Sequence, residues 1–204
     1  MNYIVWEKLA HKYNRIWVQK YSLTPTRREV KRLVLPLIES NPKIKILEIG
    51  CGTGQLIKEI HTEHMSYLGI DAAKNMIRLA QKDNKEKNVK FLALPIESYE
   101  TQERFDLIIC THAFPYFPEK EKTMKKISGL GNPGAKVIIA NASNNNIKDK
   151  IITLFLKTTT SKAEYLSIKD LKKLFDSASL KCLELKIIRE KRYMPTIALF
   201  YLER

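Results

Sequence analysis

Short apolar runs alternate with segments of helical periodicity through most of the chain. Five such runs occupy about 45–49, 67–71, 89–93, 105–110 and 135–140. Between most of them, apolar residues recur at intervals of three and four, which is the spacing of one helix face. Two further strand-like runs follow at about 183–188 and 196–202. This alternation predicts an α/β fold with a parallel-rich sheet and right-handed crossovers.

Two helices are predicted ahead of the first strand. The first, from about residue 3 to residue 18, carries an apolar stripe at helical spacing: Trp6, Leu9, Ala10, Tyr13 and Trp17. The second is predicted to begin with Thr24 as its N-cap and Pro25 in its first turn, and Pro36 is expected to kink or end it. Residues 1–44 are therefore expected to form an N-terminal helical cap.

The later part of the chain is predicted to be more irregular. Residues 131–134, Gly-Asn-Pro-Gly, are interpreted as a turn, and the polar run 141–146 as a loose segment. A helix starting near Ile147 is expected to act as a lid over a ligand. Ser167 begins a capping-box pattern, which predicts the start of another helix.

A glycine-rich turn follows the first apolar strand. The strand contains Glu48, and the turn carries Gly50, Gly52 and Gly54, with Cys51 between the first two. Glycines allow unusual backbone angles and a close approach of the chain to a ligand at a helix N-terminus. A dinucleotide fingerprint would place its third glycine at position 55, which is Gln. The turn therefore predicts a nucleotide-cofactor site of another kind.

The second strand ends in an acidic residue, Asp71. A carboxylate at the carboxyl end of such a strand can accept hydrogen bonds from both hydroxyls of a ribose. The alternative is that Asp71 only caps the helix that follows it.

The acid-x-Gly-x-Gly-x-Gly pattern at 48–54, followed by Asp71, resembles the first motifs of class I S-adenosylmethionine-dependent methyltransferases of the small-molecule type. The resemblance runs from about Lys45 to Arg204. It implies a Rossmann-like seven-stranded, mostly parallel sheet with helices on both faces and an antiparallel last strand. It also implies one domain over residues 1–204, with a cap at 1–44, a cofactor-binding core at 45–140, and a lid and terminal strands at 141–204.

The resemblance implies S-adenosylmethionine as cofactor, S-adenosylhomocysteine as product, and a set of cofactor-binding residues. These are Tyr13, Glu48, Gly50, Cys51, Gly52, Gly54, Asp71, Ala72, Met76, Pro95, Ile96, Glu97 and Thr111. Pro95 stands where the family usually has an acid that bonds the adenine amino group. The backbone N–H of Ile96 and the nearby Glu97 side chain could replace that contact.

The loop after the fourth strand is the predicted reaction site. In the family, this loop carries aromatic residues and a polar residue near the transferable methyl, and here it contains His112, Phe114, Tyr116 and Phe117. A sulfonium cation is favoured beside aromatic faces, although these rings could instead fill the core. His112 is the candidate base, because the ordinary pKa of histidine lies near neutrality. It could equally be a hydrogen-bonding residue at a strand end. Tyr13 is the second catalytic candidate.

The net charge of +14 is concentrated at the two ends of the chain. Residues 1–45 contribute +7, residues 46–140 contribute +1 and residues 141–204 contribute +6. This distribution fits an anionic partner, or simply lysines on solvated helix faces. Three widely spaced cysteines suggest neither a disulfide framework nor a metal site. No secretory signal or membrane span is visible, so a cytoplasmic location is expected.

These observations predict transfer of a methyl group to a small and possibly anionic acceptor. The sequence leaves open the identity of the acceptor, its O-, N- or C-nucleophile and the oligomeric state. One alternative is an RNA methyltransferase, which the charge would suit, although the tetrapeptide typical of amino-directed enzymes is absent after Cys110. Others are a polyamine synthase, which would be expected to have an acidic amine site, and a non-catalytic cofactor-binding partner subunit.

Overall fold

The computed structural model describes residues 4–15, 19–160 and 163–204, without the side chains of 14, 15 and 155–160. Within these ranges, seven strands form one sheet. The strands are β1 (Lys45–Ile49), β2 (Ser66–Asp71), β3 (Val89–Ala93), β4 (Phe105–Thr111), β5 (Gly131–Ala142), β6 (Lys181–Ile188) and β7 (Ile197–Glu203). Their order is β3-β2-β1-β4-β5-β7-β6. Strands β1 to β5 are parallel, and β7 is antiparallel to both β5 and β6. The predicted fold class is confirmed.

Helices cover both faces of this sheet. They are α1 (Ile4–Leu9), α2 (Thr24–Ser40), α3 (Ile57–Ile60), α4 (Lys74–Asp83), α5 (Lys120–Leu130), α6 (Ile147–Thr160) and α7 (Ile168–Ser177). Neighbouring strand residues point to opposite faces. Ile46 accordingly packs with α2, α3 and α4 in one buried cluster, while Leu47 packs with α5 and α7 in another. The two clusters pack the sheet between two layers of helices. The carboxyl ends of the strands lie at the edge of these layers, where a binding site can form.

The first helix differs from the prediction. Instead of one helix over 3–18, α1 ends at Leu9 and a 3-10 helix continues over Ala10–Arg15. Trp17 lies outside the described residues. Tertiary contacts explain the break, because the segment bends to place Trp6 and Tyr13 against Ala73 and Met76.

The predicted start of the second helix is also wrong. A π-helix over Gln19–Leu23 leads directly into α2, so Thr24 is already helical and caps nothing. The Thr24 hydroxyl instead accepts a hydrogen bond from Arg27. The helix continues through Pro36 to Ser40, because the apolar face beyond the proline stays buried through Ile38.

Of the two segments predicted as irregular, 131–134 belongs to a strand, whereas 143–146 has no regular secondary structure. Residues 131–134 form the start of β5 rather than a turn, because Gly131 pairs with Phe105 and the Gly134 N–H donates to the carbonyl of Arg204. The polar run 141–146 is held by its own amides. Asn141 belongs to β5. The Asn144 amide donates to the Tyr165 carbonyl, and the amides of the next two residues donate to Ser143 and Asp149. The predicted Ser167 cap is confirmed, since its hydroxyl accepts from Asp170 N at 3.1 Å.

None of the helices in the described ranges is long and apolar enough to cross a bilayer.

Candidate functional site

The carboxyl ends of β1, β2 and β4 meet beneath the N-terminal segment. A small cleft lies at this point, lined by Tyr13, Leu23, Arg27, Glu48, Gly50, Cys51, Thr53, Gln55, Leu56, Thr111 and His112. Its volume of about 40 Å³ is well below the roughly 300–1,000 Å³ of a typical ligand pocket. This volume by itself is too small for a ligand the size of a nucleotide.

The three glycines of the turn have different roles. All three adopt left-handed backbone angles, with φ of +73° at Gly50, +54° at Gly52 and +68° at Gly54. A Cβ at Gly50 would lie 2.3 Å from the Cβ of Ala113, and one at Gly54 would lie 2.8 Å from the Asn84 amide nitrogen. Packing therefore requires glycine at both positions. The three atoms nearest to a Cβ at Gly52 all belong to Tyr13, the first at 3.5 Å, so this glycine faces the space below that ring.

The Asp71 carboxylate ties the turn to the end of β2. One oxygen accepts from the Gly52 N–H at 3.0 Å, and the other accepts from the Ala73 N–H at 2.8 Å. The second bond is made to Ala73, the residue before α4, so it fixes the turn ahead of the helix and does not cap a helical N–H. Burial raises the pKa of Asp71, and these two bonds oppose the rise. Each oxygen keeps a lone pair for a further donor.

The N-terminal segment covers the turn and the start of α4. The Glu7 carboxylate accepts from the Asn75 N–H at 3.1 Å, and the Asn75 amide donates to the Glu7 carbonyl at 3.3 Å. A carboxylate at this position also complements the dipole of α4. Trp6 packs edge-to-face against Tyr13, with ring centroids 6.0 Å apart, and against Tyr116 at 5.6 Å. These contacts hold Tyr13 over Gly52.

Two predicted cofactor residues lie under this segment. Met76 is buried with Ala73 and Ala10, and Ala72, the residue before Ala73, is half-buried.

Burial and the nearby Asp71 raise the pKa of the Tyr13 hydroxyl. The Tyr13 side chain is therefore a neutral hydroxyl at physiological pH.

Glu48 forms a buried acidic wall of the cleft. The Tyr67 hydroxyl donates a hydrogen bond to its carboxyl group. Burial raises the pKa of Glu48 to about 8, although the Tyr67 bond and nearby Arg27 lower it. Glu48 is therefore mostly protonated at neutral pH.

Arg27 is the main functional candidate that the sequence reasoning missed. It lines the cleft and donates to Glu59 at 3.1 Å, to Gln19 at 3.2 Å and to Thr24 at 3.0 Å. A signal was present in the sequence, because Arg27 lies three residues before Val30, on the buried face of α2. Residues three positions apart share a helix face, so Arg27 was placed beside the buried face.

His112 lies at the end of β4 in a strained conformation. Its φ is +59°, its N–H donates to the Ala140 carbonyl at 2.7 Å, and its ring Nε2 lies 3.0 Å from the Thr26 hydroxyl. Burial and the charge of Arg27 lower the pKa of His112 to about 4. A ring with this pKa is neutral at physiological pH and a weaker base than an ordinary histidine. Thr111, the preceding residue, lines the same cleft.

The residues after β3 lie apart from the cleft lining. Pro95 precedes a 3-10 turn over Ile96–Ser98, and Ile96 packs in the core. Among the described residues, Glu97 Oε1 is buried without a hydrogen-bond partner. A buried acceptor of this kind is costly unless a donor reaches it, so Glu97 is suited to a donor from a ligand.

The order of the sheet reverses direction at β1, and the glycine turn and Asp71 lie at the carboxyl ends of β1 and β2. In open α/β sheets this switch point is where ligands bind. The fold and the site together define a nucleotide-cofactor-binding α/β domain.

Comparison with known proteins identifies the family. The model of the family described as "Methyltransferase domain" matches residues 40–198, and the chain belongs to this family. It is similar to a malonyl-[acyl-carrier protein] O-methyltransferase of Priestia megaterium, with 25% identity over 79% of this chain and 65% of that protein. It is also similar to a ubiquinone biosynthesis O-methyltransferase of Chromobacterium violaceum, with 28% identity over 68% of this chain and 61% of that protein. The chain thus spans less than two thirds of either relative.

Solved structures resemble the fold. Magnesium protoporphyrin IX methyltransferase from Synechocystis, determined with bound S-adenosylhomocysteine, superposes with a TM-score of 0.72 at 13% identity, covering 93% of this chain and 88% of that one. N-methyltransferase NodS from Bradyrhizobium japonicum gives a TM-score of 0.66 at 20% identity, covering 88% and 97%. The predicted family is confirmed, and its membership supports S-adenosylmethionine as the cofactor.

Proposed function

We propose that the chain binds S-adenosylmethionine in the cleft below Tyr13 and catalyses methyl transfer to a small-molecule acceptor, with S-adenosylhomocysteine as product. The observation that carries this proposal is the hydrogen bond from the Gly52 N–H to the Asp71 carboxylate at 3.0 Å. It joins the two predicted motifs into one site. The cofactor supplies a methyl group already activated on a sulfonium, so the protein's task is alignment and exclusion of water.

The adenosine end of S-adenosylmethionine is proposed to lie near Asp71 and Glu97. The remaining lone pairs of Asp71 accept the ribose hydroxyls. The unpartnered Oε1 of Glu97 accepts the adenine amino group, replacing the acid that Pro95 displaces. The Ile96 N–H donates to a ring nitrogen, while Ala72 and Met76 contact the adenosine from the α4 side.

The amino-acid end of the cofactor is proposed to lie between Glu48 and Arg27, which place a carboxyl group and a guanidinium in the cleft lining. Arg27 uses three of its five N–H groups within the protein and keeps two for a carboxylate. Glu48 receives the ammonium group and ionises when it does so. Gly50 and Cys51 bring the backbone of the turn close to this end, and Gly54 fixes its shape.

The sulfonium and methyl group of the cofactor are proposed to lie against Tyr13, Thr111 and His112. The low pKa of about 4 keeps the His112 ring neutral, so it orients the acceptor by a hydrogen bond and takes up a proton only weakly. The Tyr13 hydroxyl and the nearby rings of Trp6 and Tyr116 surround the sulfonium with aromatic faces, which stabilise a cation.

The acceptor is proposed to be a small molecule with an anionic group, held between the N-terminal helices and the segment after Asn141. The charges of +7 over 1–45 and +6 over 141–204 support this arrangement. The names of the two relatives, both O-methyltransferases, favour an oxygen nucleophile. The cytoplasmic location expected from the sequence remains part of the proposal.

The proposal is tested with radiolabelled S-adenosylmethionine and cell extract separated into small-molecule, protein and RNA fractions. We expect label in the small-molecule fraction, strongly reduced with Asp71→Ala and retained with Asp83→Ala, a matched carboxylate change at the exposed end of α4. Transfer into RNA, with RNA binding that weakens steeply as salt rises, would favour the RNA alternative. No transfer despite cofactor binding would favour a non-catalytic partner subunit.

A further inference from the structure

The outer face of α6 carries an apolar stripe that nothing in the described structure covers. Ile147, Ile151 and Leu154 are 77%, 53% and 64% exposed. At 100° per residue, these three side chains fall within about 60° of one another around the helix axis. Asp149 and Thr153, which are buried, lie on the opposite side. The stripe is therefore the face of the helix that points directly away from the protein.

Lysines flank this stripe on both sides. Lys148 and Lys150 are exposed, and by the same helical geometry they lie about 90° and 70° from the centre of the stripe. A surface helix with an apolar line bordered by cations has the pattern of helices that lie in the plane of a membrane interface. The lysine stems can extend along apolar surface while their ammonium groups stay in the polar layer.

A buried ion pair fixes the orientation of this helix. The Asp149 carboxylate, fully buried, accepts from Arg189 at 2.8 Å and from the Thr196 N–H at 3.2 Å. It also accepts from the Asn146 amide at 3.0 Å. These bonds attach the first turn of α6 to both ends of the loop between β6 and β7. The stripe and that loop therefore belong to one surface.

The loop adds cations and an aromatic ring to this surface. Lys191 and Arg192 are exposed, and Tyr193 is 60% exposed. Among the described residues, none of the four cations Lys148, Lys150, Lys191 and Arg192 is ion-paired, whereas Glu190 is paired with Arg28 at 3.1 Å. The acidic groups of this surface are thus neutralised within the protein, and its cations are free for an outside partner.

We propose that this surface, formed by the outer face of α6 and residues 191–193, docks onto the surface of an anionic phospholipid bilayer. Ile147, Ile151 and Leu154 enter the boundary between headgroups and acyl chains, and the four cations contact the lipid phosphates. Tyr193 lies at the headgroup level, where aromatic rings are enriched. The stripe is narrow and on a convex helix, with cations on both sides, so it suits a fluid anionic layer better than a second copy of this basic chain.

The proposal is tested by co-sedimentation of the full chain with vesicles of phosphatidylcholine alone and of phosphatidylcholine with phosphatidylglycerol. We expect binding to the anionic vesicles, weakened by salt, and little binding to phosphatidylcholine. Ile147→Ser/Ile151→Ser/Leu154→Ser should weaken binding at least tenfold. Lys148→Gln/Lys150→Gln should weaken it by roughly tenfold or more, since each lysine near an anionic surface contributes about fivefold.

Matched variants distinguish binding through this surface from nonspecific binding of the chain to vesicles. Leu92→Ser/Leu183→Ser changes two side chains that are 42% and 43% exposed on the two edge strands of the sheet. Lys85→Gln/Lys87→Gln removes two exposed charges beyond α4. Both should bind vesicles as the original chain does. Unchanged thermal unfolding shows that the α6 variants are folded.

Three results would overturn the proposal. The first is that the chain does not bind the anionic vesicles. The second is that the matched variants lose as much vesicle binding as the α6 variants. The third is that the chain binds no vesicles and sediments as a dimer, which the serine variant converts to a monomer. The last would identify the stripe as an interface between copies.

Discussion

Removing the buried carboxyl group of Glu48 should change how stability depends on pH. Glu48→Gln keeps the shape of the side chain and an acceptor for the Tyr67 hydroxyl, but it cannot ionise. In the unliganded protein, burial raises the pKa of Glu48 from its ordinary value of 4.5 to about 8. The folded state therefore holds a proton that the unfolded state releases above pH 4.5.

The sign and size of the effect follow from this difference. Because the pKa is raised on folding, the stabilisation is complete below pH 4.5 and is lost as pH rises towards 8. Each pH unit in that window costs about 1.4 kcal/mol. His112 offsets the loss at the acid end, since its pKa falls from 6.5 to about 4 and makes stability rise with pH in that range. From pH 6.5 to 8 the Glu48 effect exceeds that of His112, because the unfolded histidine is already half deprotonated at pH 6.5, and stability should fall by about 1 kcal/mol.

Urea unfolding at pH 6.5 and 8.0 measures this change directly. The original chain should lose about 1 kcal/mol across the interval, whereas Glu48→Gln should gain slightly through His112. Below pH 6.5 the variant should lose stability on acidification, because the His112 contribution is no longer offset. Parallel curves for the two proteins between pH 6.5 and 8.0 would refute the reasoning, since Glu48 would then be ionised in the folded state.

Three further predictions concern cofactor binding. Asp71→Ala should weaken S-adenosylhomocysteine binding about 10- to 150-fold, the equivalent of about 1.5–3 kcal/mol for charge-assisted bonds; calorimetry checks this, and unchanged affinity would mean that Asp71 only holds the turn. Gly52→Val should abolish cofactor binding while the chain stays folded, because the side chain enters the space below Tyr13. Gly134→Val is the control, since it has a comparable φ of +78° and open space around it, and loss of affinity in both variants would point to backbone strain instead. Glu7→Ala should speed both association and dissociation of the cofactor in stopped-flow measurements, because it releases α1 from the N-terminus of α4; unchanged rates would show that the segment does not cover the route.

The central strands and the glycine turn were predictable because their signals are local. Val89–Ala93 has the predicted bounds, and the Ser167 cap depends on a residue three positions away. Asp71 could be placed near the turn because parallel strands end at one edge of a sheet. Its double contact with Gly52 and Ala73 was not predicted, since the sequence suggested only a ribose or the following helix as its partner.

The remaining errors come from partners distant in the sequence. The segment 131–134 has the composition of a turn, but Phe105 and Arg204 pair with it as a strand. The pKa of His112 depends on burial and on Arg27, 85 positions earlier in the chain. Neither contact leaves a periodic signal, so only the folded structure reveals them.

The most direct test of the account is calorimetric titration of the chain with S-adenosylhomocysteine and, separately, with NAD. We expect saturable heat for one S-adenosylhomocysteine per chain and none for NAD. Heat with NAD and none with S-adenosylhomocysteine would contradict it.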